Sequence, residues 1–221
     1  MGTQFSMVCH INKSCKSLLS AHFTTGTEGP KYLTSNALLL CVLSTLPAFC
    51  TNLPSPQVMA AIPSPNAVTR VAIQSVAFPG HYVGLDGWGV TSHNAPGGKV
   101  KPQSYIAAYE VLYFQQNTDG TVSFRSPVFD NIYIRMDGSG VPPGGLLGAG
   151  GGTVNAQFNA FAWEKFRIRK KQNALGQYKG VVGIESVAFP GRFLRLDAIA
   201  GTVNVQGVFM AYEEFEILNV G

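Results

Sequence analysis

The sequence predicts an all-β domain built from three copies of one four-stranded unit, and three observations predict it. One phrase recurs without a gap at residues 71–86, 122–137 and 182–197. A second phrase follows each copy at constant internal spacing. Twenty-five glycines and thirteen prolines lie among short apolar runs, which punctuates many strands and turns rather than long helices.

The first phrase reads VAIQSVAFPGHYVGLD, VSFRSPVFDNIYIRMD and VGIESVAFPGRFLRLD. Ile73 and Ser75, Phe124 and Ser126, and Ile184 and Ser186 sit in runs that alternate near period 2, the spacing of a half-buried strand. Residues 82–85, 133–136 and 193–196 are apolar, aromatic and β-branched, and predict a second strand. Phe78-Pro79-Gly80 and Phe189-Pro190-Gly191 mark the turn between the two; Asp130-Asn131 takes its place in the middle copy. Asp86-Gly87 and Asp137-Gly138 close the second strand with turn chemistry.

The second phrase reads GKVKPQ at 98–103, GTVNAQ at 152–157 and GTVNVQ at 201–206. Six residues after each glutamine stand an aromatic and a glutamate: Tyr109-Glu110, Trp163-Glu164 and Tyr212-Glu213. These open YEVLYF, WEKFRI and YEEFEI, so each unit gains a third and a fourth strand. Three units, at about 71–120, 121–180 and 181–221, bury together the apolar face that one alone cannot. The expected core takes six positions from each unit: Ile73, Phe78, Tyr82, Leu85, Val100, Leu112 and their matches. Each contributes roughly 1.5–3 kcal/mol on burial, so such a core needs no disulfide.

Composition narrows the class. Charged residues make up 13% of the chain and apolar residues 46%, which describes a packed globular protein. A net charge of +4 without a dense basic stripe gives no footprint for nucleic acid. All four cysteines, Cys9, Cys15, Cys41 and Cys50, lie in the first 50 residues. The repeated region is therefore neither a disulfide scaffold nor a cysteine zinc site.

Residues 1–50 read as a leader. The uncharged run 37–50, ALLLCVLSTLPAFC, is shorter than the ~20 residues of a membrane span, so no stable span is expected. It has the length of a secretory signal's apolar region, with Lys13, Lys16 and Lys31 upstream and small residues placed for cleavage before Thr51. Three readings stand open: a secretory signal on a secreted protein, a membrane-associated anchor, or a natural start further along, such as Met59, that leaves the chain cytoplasmic. Residues 51–69, rich in proline, serine and alanine, read as a linker, and 70–221 as the folded domain.

On these phrases the repeated region resembles the β-trefoil, three units of four strands. The G-x-V-x-x-Q, aromatic-Glu and V-x-I-x-S patterns are similar to the fascin-like branch, which includes actin-crosslinking proteins. SVAFPGRFLRLD at 186–197 also resembles the Ser-x-x-x-Pro-Gly-x-Tyr-Leu-Arg phrase of arabinofuranose-binding modules. The resemblance covers the chain beyond the linker. It implies a non-catalytic binding module for a glycan or polysaccharide. Its alternatives are a fascin-like scaffold binding actin filaments in the cytoplasm and a protease-inhibitor-type trefoil. Arg195, and Arg135 in the middle copy, fall on the arginine of that phrase and become ligand candidates; Gly84 replaces it in the first copy.

The residues themselves add further candidates. Asp86, Asp137 and Asp197 are placed to anchor a ligand hydroxyl or, as turn residues, to bond their own backbone. Trp88 lies outside the core periodicity in a glycine loop, where an exposed indole makes a stacking platform for a sugar ring. Glu110, Glu164 and Glu213 follow core aromatics and are placed to pair with a neighbouring Arg or Lys. The glycine loop 138–152 lacks the Gly-Lys-Ser of a phosphate cradle and reads as a flexible surface loop. The region beyond residue 70 holds only His81 and His93 and no cysteine. No catalytic motif, metal site or cofactor is expected.

Overall fold

A computed structural model of the chain describes residues 56–59, 64, 66–93, 98–146, 148 and 150–221. All belong to one compact unit, Thr51–Gly221. The candidate signal segment 37–50, the cleavage point before Thr51, the four cysteines and much of the linker lie outside the described residues.

Among the described residues the chain forms thirteen strands, two 3-10 turns and no α-helix. The strands are β1 (Gln57–Val58), β2 (Val68–Ser75), β3 (Tyr82–Asp86), β4 (Lys99–Gln103), β5 (Leu112–Gln116), β6 (Val122–Arg125), β7 (Ile132–Asp137), β8 (Thr153–Phe158), β9 (Phe166–Gln172), β10 (Tyr178–Ser186), β11 (Phe193–Asp197), β12 (Thr202–Gln206) and β13 (Phe215–Asn219). Antiparallel pairing runs β2–β5–β6–β9–β10–β13 and returns from β13 to β2. These six strands form a closed barrel. The other seven stand outside it: the hairpins β3–β4, β7–β8 and β11–β12, and β1 along β13.

The expected β-trefoil of three four-stranded repeats does not describe this sheet. The boundary placed at 180/181 falls inside β10. A thirteenth strand, β1, comes from the segment read as linker. The barrel strands pair most extensively across the expected unit boundaries: β9 meets β10 over six registered pairs and β13 meets β2 over five. Between the first and last barrel strands of each copy, β2 meets β5 at four pairs, β6 meets β9 at a single pair and β10 meets β13 at two. Every barrel strand must satisfy its backbone groups on both sides, and the copies do so by pairing with each other. The all-β class stands; the architecture is one six-stranded barrel carrying seven further strands.

The core follows from the strand period. Phe114, Phe124, Phe166 and Phe215 are fully buried, with Phe124 edge-on to Phe114 at 5.6 Å and tilted against Phe166 at 5.8 Å. Ile73, Leu85, Leu112, Met136, Ile184 and Leu196 are buried as expected. Phe78, Phe129, Phe189, Tyr82 and Phe193 are only half-buried. The three turn phenylalanines sit where one copy meets the next. Tyr212 packs on Phe78 at 4.9 Å, Tyr109 on Phe129 at 5.5 Å and Trp163 on Phe189 at 5.3 Å. The serine of each phrase explains its own recurrence: Ser75, Ser126 and Ser186 Oγ accept the N–H of Phe78, Phe129 and Phe189, which pins the turn.

The glycine loop also differs from expectation. Gly144 N–H donates to the Gly207 carbonyl at 2.6 Å, and Gly151 and Val205 exchange two hydrogen bonds of 2.8 Å. The loop is tied along β12; Leu146 is exposed, and Leu147 lies outside the described residues.

Phe124→Ala is expected to cost about 3–5 kcal/mol by opening a cavity among the four rings. Trp88→Ala, at a side chain 78% exposed, is expected to stay within about 0.5 kcal/mol. Urea unfolding of both variants measures the contrast.

Candidate functional site

Strand β7 buries Ile132, Ile134 and Met136 on one face and turns Tyr133, Arg135 and Asp137 to the other, as period 2 dictates. The Arg135 guanidinium lies 4.2 Å from the centre of the Trp163 ring, a cation–π contact worth about 0.5–2 kcal/mol according to its desolvation. Its Nε stands 3.8 Å from Glu164 Oε1. Trp163 and Glu164 come from the 3-10 turn Ala162–Glu164, which the same carboxylate closes: Phe161 N–H donates to Glu164 Oε2 at 2.7 Å. Burial pushes the Glu164 carboxyl above its usual range, against the opposing pull of that N–H and of the charges of Arg135 and His93.

These groups line a cleft of about 300 Å³ together with Phe161, Ala162 and His93. Phe161 is 53% exposed, and the His93 ring stands edge-on to it at 4.9 Å. On β8, Asn155 is registered opposite Arg135, and its buried Oδ1 has no hydrogen-bond partner. The cleft thus offers an apolar ring face, a cation and a carboxylate close together.

The other two copies use the same ground plan with different surroundings. In the third, Arg195 lies over Tyr212 at 4.9 Å and near Glu213 Oε1 at 3.8 Å, but it also meets Asp197 at 3.0 Å. Its side chain is 4% exposed against 21% for Arg135. In the first copy the arginine is missing. A Cβ on Gly84 would stand 2.6 Å from Glu110 Oε1, so the carboxylate itself fills the space. Glu110 and Glu213 close their turns as Glu164 does, accepting the N–H of Ala107 and Met210, each at 2.9 Å.

No family model matches the chain, and no curated protein matches it in sequence. Solved structures share its fold. One is SeviL bound to asialo-GM1 saccharide, at 8% identity and a TM-score of 0.50 over 70% of this chain and 100% of that one. Another is a mosquitocidal holotoxin, at 11% identity and a TM-score of 0.50 over 74% of this chain and 18% of that one. A third is a salivary protein of the cysteine- and tryptophan-rich family from Culex quiquefasciatus, at 12% identity and a TM-score of 0.48 over 72% of this chain and 98% of that one. The likeness is one of fold. It does not single out the fascin-like branch. These neighbours lend no support to actin binding.

The candidate residues fall into distinct surroundings. Asp86 Oδ1 accepts the Trp88 N–H, Asp137 Oδ1 that of Ser139, and Asp197 Oδ1 those of Ile199 and Ala200. Each aspartate therefore shapes its own turn. The Ala200 N–H and the Arg195 guanidinium hold the Asp197 carboxyl below its usual range. Trp88 is exposed at the tip of its turn. Arg135 belongs to the cleft, whereas Arg195 is buried within its own ion pairs. Phe161 and His93, which complete the cleft, stand outside the repeated phrases. A signal for Phe161 existed: the residue three before each glutamate is Ala107, Phe161 and Met210, a place where only one copy puts an aromatic. Among the described residues no three His, Cys, Asp or Glu side chains group to hold a metal, and no helix is long and apolar enough to cross a membrane.

The raised glutamates carry a pH signature. Burial lifts the folded-state values of Glu164 and Glu213 above the ordinary one, so the folded chain holds these protons to higher pH than the unfolded chain. The stability they contribute is complete below about pH 4.3 and is lost as pH rises through the folded values. Asp197 acts with opposite sign: its contribution is present above about pH 3.9 and lost as pH falls through its depressed value. Denaturant unfolding across this range should show stability falling as pH climbs from the glutamate value, and Glu164→Gln should remove part of that slope.

Proposed function

We propose that this domain is a non-catalytic glycan-binding module whose principal site is the cleft of the second copy. The observation that carries the reading is the opening of one Arg–aromatic–Glu set beside an exposed aromatic ring. A sugar presents an apolar C–H face and a rim of hydroxyls, each both donor and acceptor. Phe161 suits the first; Arg135 and the Glu164 carboxylate, which both line the cleft, suit the second. Both Glu164 oxygens are engaged, one by the Phe161 N–H and one beside Arg135. That suits a group that holds geometry rather than one that transfers a proton. The saccharide named for SeviL, a protein of like fold, adds support for this ligand class.

The folded domain should retain members of a glycan array that includes the asialo-GM1 saccharide. Arg135→Gln and Phe161→Ala should each weaken the retained saccharide about tenfold or more, equivalent to ~1.4 kcal/mol. Asp86→Asn, at a residue that does not line the cleft, should leave it unchanged. Retention of no glycan, or affinity indifferent to both cleft substitutions, would sink the reading.

A further inference from the structure

The third copy repeats the chemistry of the cleft. Arg195, Tyr212 and Glu213 stand as Arg135, Trp163 and Glu164 do, and Asn204 on β12 is registered opposite Arg195 as Asn155 is opposite Arg135. What differs is the segment laid beside them. The β3–β4 loop of the first copy brings His93 to Phe161 at the edge of the open cleft. The matching loop of the second copy goes further and fastens to the third. The Val141 carbonyl accepts from Arg192 Nε at 2.8 Å, Gly144 N–H bonds the Gly207 carbonyl, and Gly151 bridges Val205. Residues 141–145 and 150–152 form a strap along β12, against the strand that presents Asn204.

The strap depends on glycine at the point of contact. A methyl group on Gly207 would overlap the Pro142 carbonyl oxygen and stand 2.7 Å from that of Gly145. Phe158 and Ser104 hold this place in the other copies, where no such strap is fastened among the described residues. Gly207 has no positive φ, so its lack of a side chain serves the approach of the strap and not the turn of its own backbone. On the strap's other arm, a Cβ on Gly150 would collide with the Asn204 amide.

We propose that the third copy is a second glycan site, kept closed by this strap; the proposal rests on the reading of the second copy's cleft. Asp197 and Glu213 already balance the Arg195 charge, so the class of ligand is a neutral, polyhydroxylated sugar. Displacing the strap opens the site without altering any residue that would touch the sugar.

Gly207→Ala and Gly207→Val wedge the strap away by graded amounts. Amide exchange at Gly144 and Gly151 reads its release, and native mass spectrometry counts bound sugar. The probe is the neutral saccharide retained by the intact chain on the array, and lactose at millimolar concentration where none is retained. The expected result is exchange faster by about tenfold and a stoichiometry rising from one saccharide per chain to two. Adding Arg135→Gln to either variant should then leave one. Faster exchange with stoichiometry held at one, and abolished by Arg135→Gln, overturns the proposal while the second-copy reading stands. Unchanged exchange overturns it as well, because the strap would then not rely on close approach at Gly207. If the intact chain binds nothing and the Gly207 variants bind one, the second-copy reading falls and the third-copy site stands. If no form binds either probe, both fall.

Discussion

Phe215 faces Ser75 and Ile217 faces Ile73 where β13 closes against β2, and the remainder of the molecule depends on that seam. Without it the barrel is an open sheet with two unsatisfied edges, each a row of free N–H and C=O groups. With it, the four phenylalanines are enclosed from every side and the three hairpins gain a rigid wall. Strand β1 reinforces the same seam from outside: Val58 pairs with Leu218, Met59 N–H reaches the Ile217 carbonyl, and the Met59 side chain enters the core. The hairpins then meet one another through β4, β8 and β12, so the surface that carries the cleft is braced by the barrel beneath and by its own neighbours.

One ground plan has been developed in three ways. Each copy spends a glutamate on closing the turn after its second phrase, and each glutamate is buried. A buried carboxylate costs several kcal/mol unless paired and hydrogen-bonded, and the copies meet that cost differently. The first deletes the arginine and lets Glu110 fill the gap above Gly84. The third adds Asp197 to the pair and buries the arginine. The second leaves Arg135 partly open between Trp163 and solvent. The exposure of the common cluster is thus set by what surrounds it more than by the cluster itself.

Much of this was legible in the sequence, and the exceptions have physical causes. The strands, their turns and most of the buried positions follow from period 2 and from the recurring serine, proline and glycine. The closed barrel does not, because equivalence among copies says nothing about which edges pair, and the pairings lie far apart in the chain. Strand β1 was hidden by its flanking prolines: two residues between Pro-Ser-Pro pieces carry no periodicity, and only the exposed edge of β13 makes them a strand. Arg135 emerged from the repeated phrase, but Phe161 and His93 did not, since a repeat draws attention to what the copies share and a site grows where they differ. The glycines of the loop 138–152 also have a reason the sequence does not show: at Gly150 and Gly152 a side chain would collide with Asn204 or Val205.

The seam between β2 and β13 also sets an order of events during synthesis. Strand β2 is made early, and the strand that completes its pairing is nearly the last of this domain to emerge. Until Asn219 has left the ribosome the ring cannot shut, and the edge of β2 that awaits β13 stays available to other chains. Contacts this distant in sequence form slowly, and unpaired strand edges on unfinished domains invite aggregation. Four of the eight residues of β2, Thr69, Arg70, Gln74 and Ser75, are polar, which tempers the apolar character of the edge that waits.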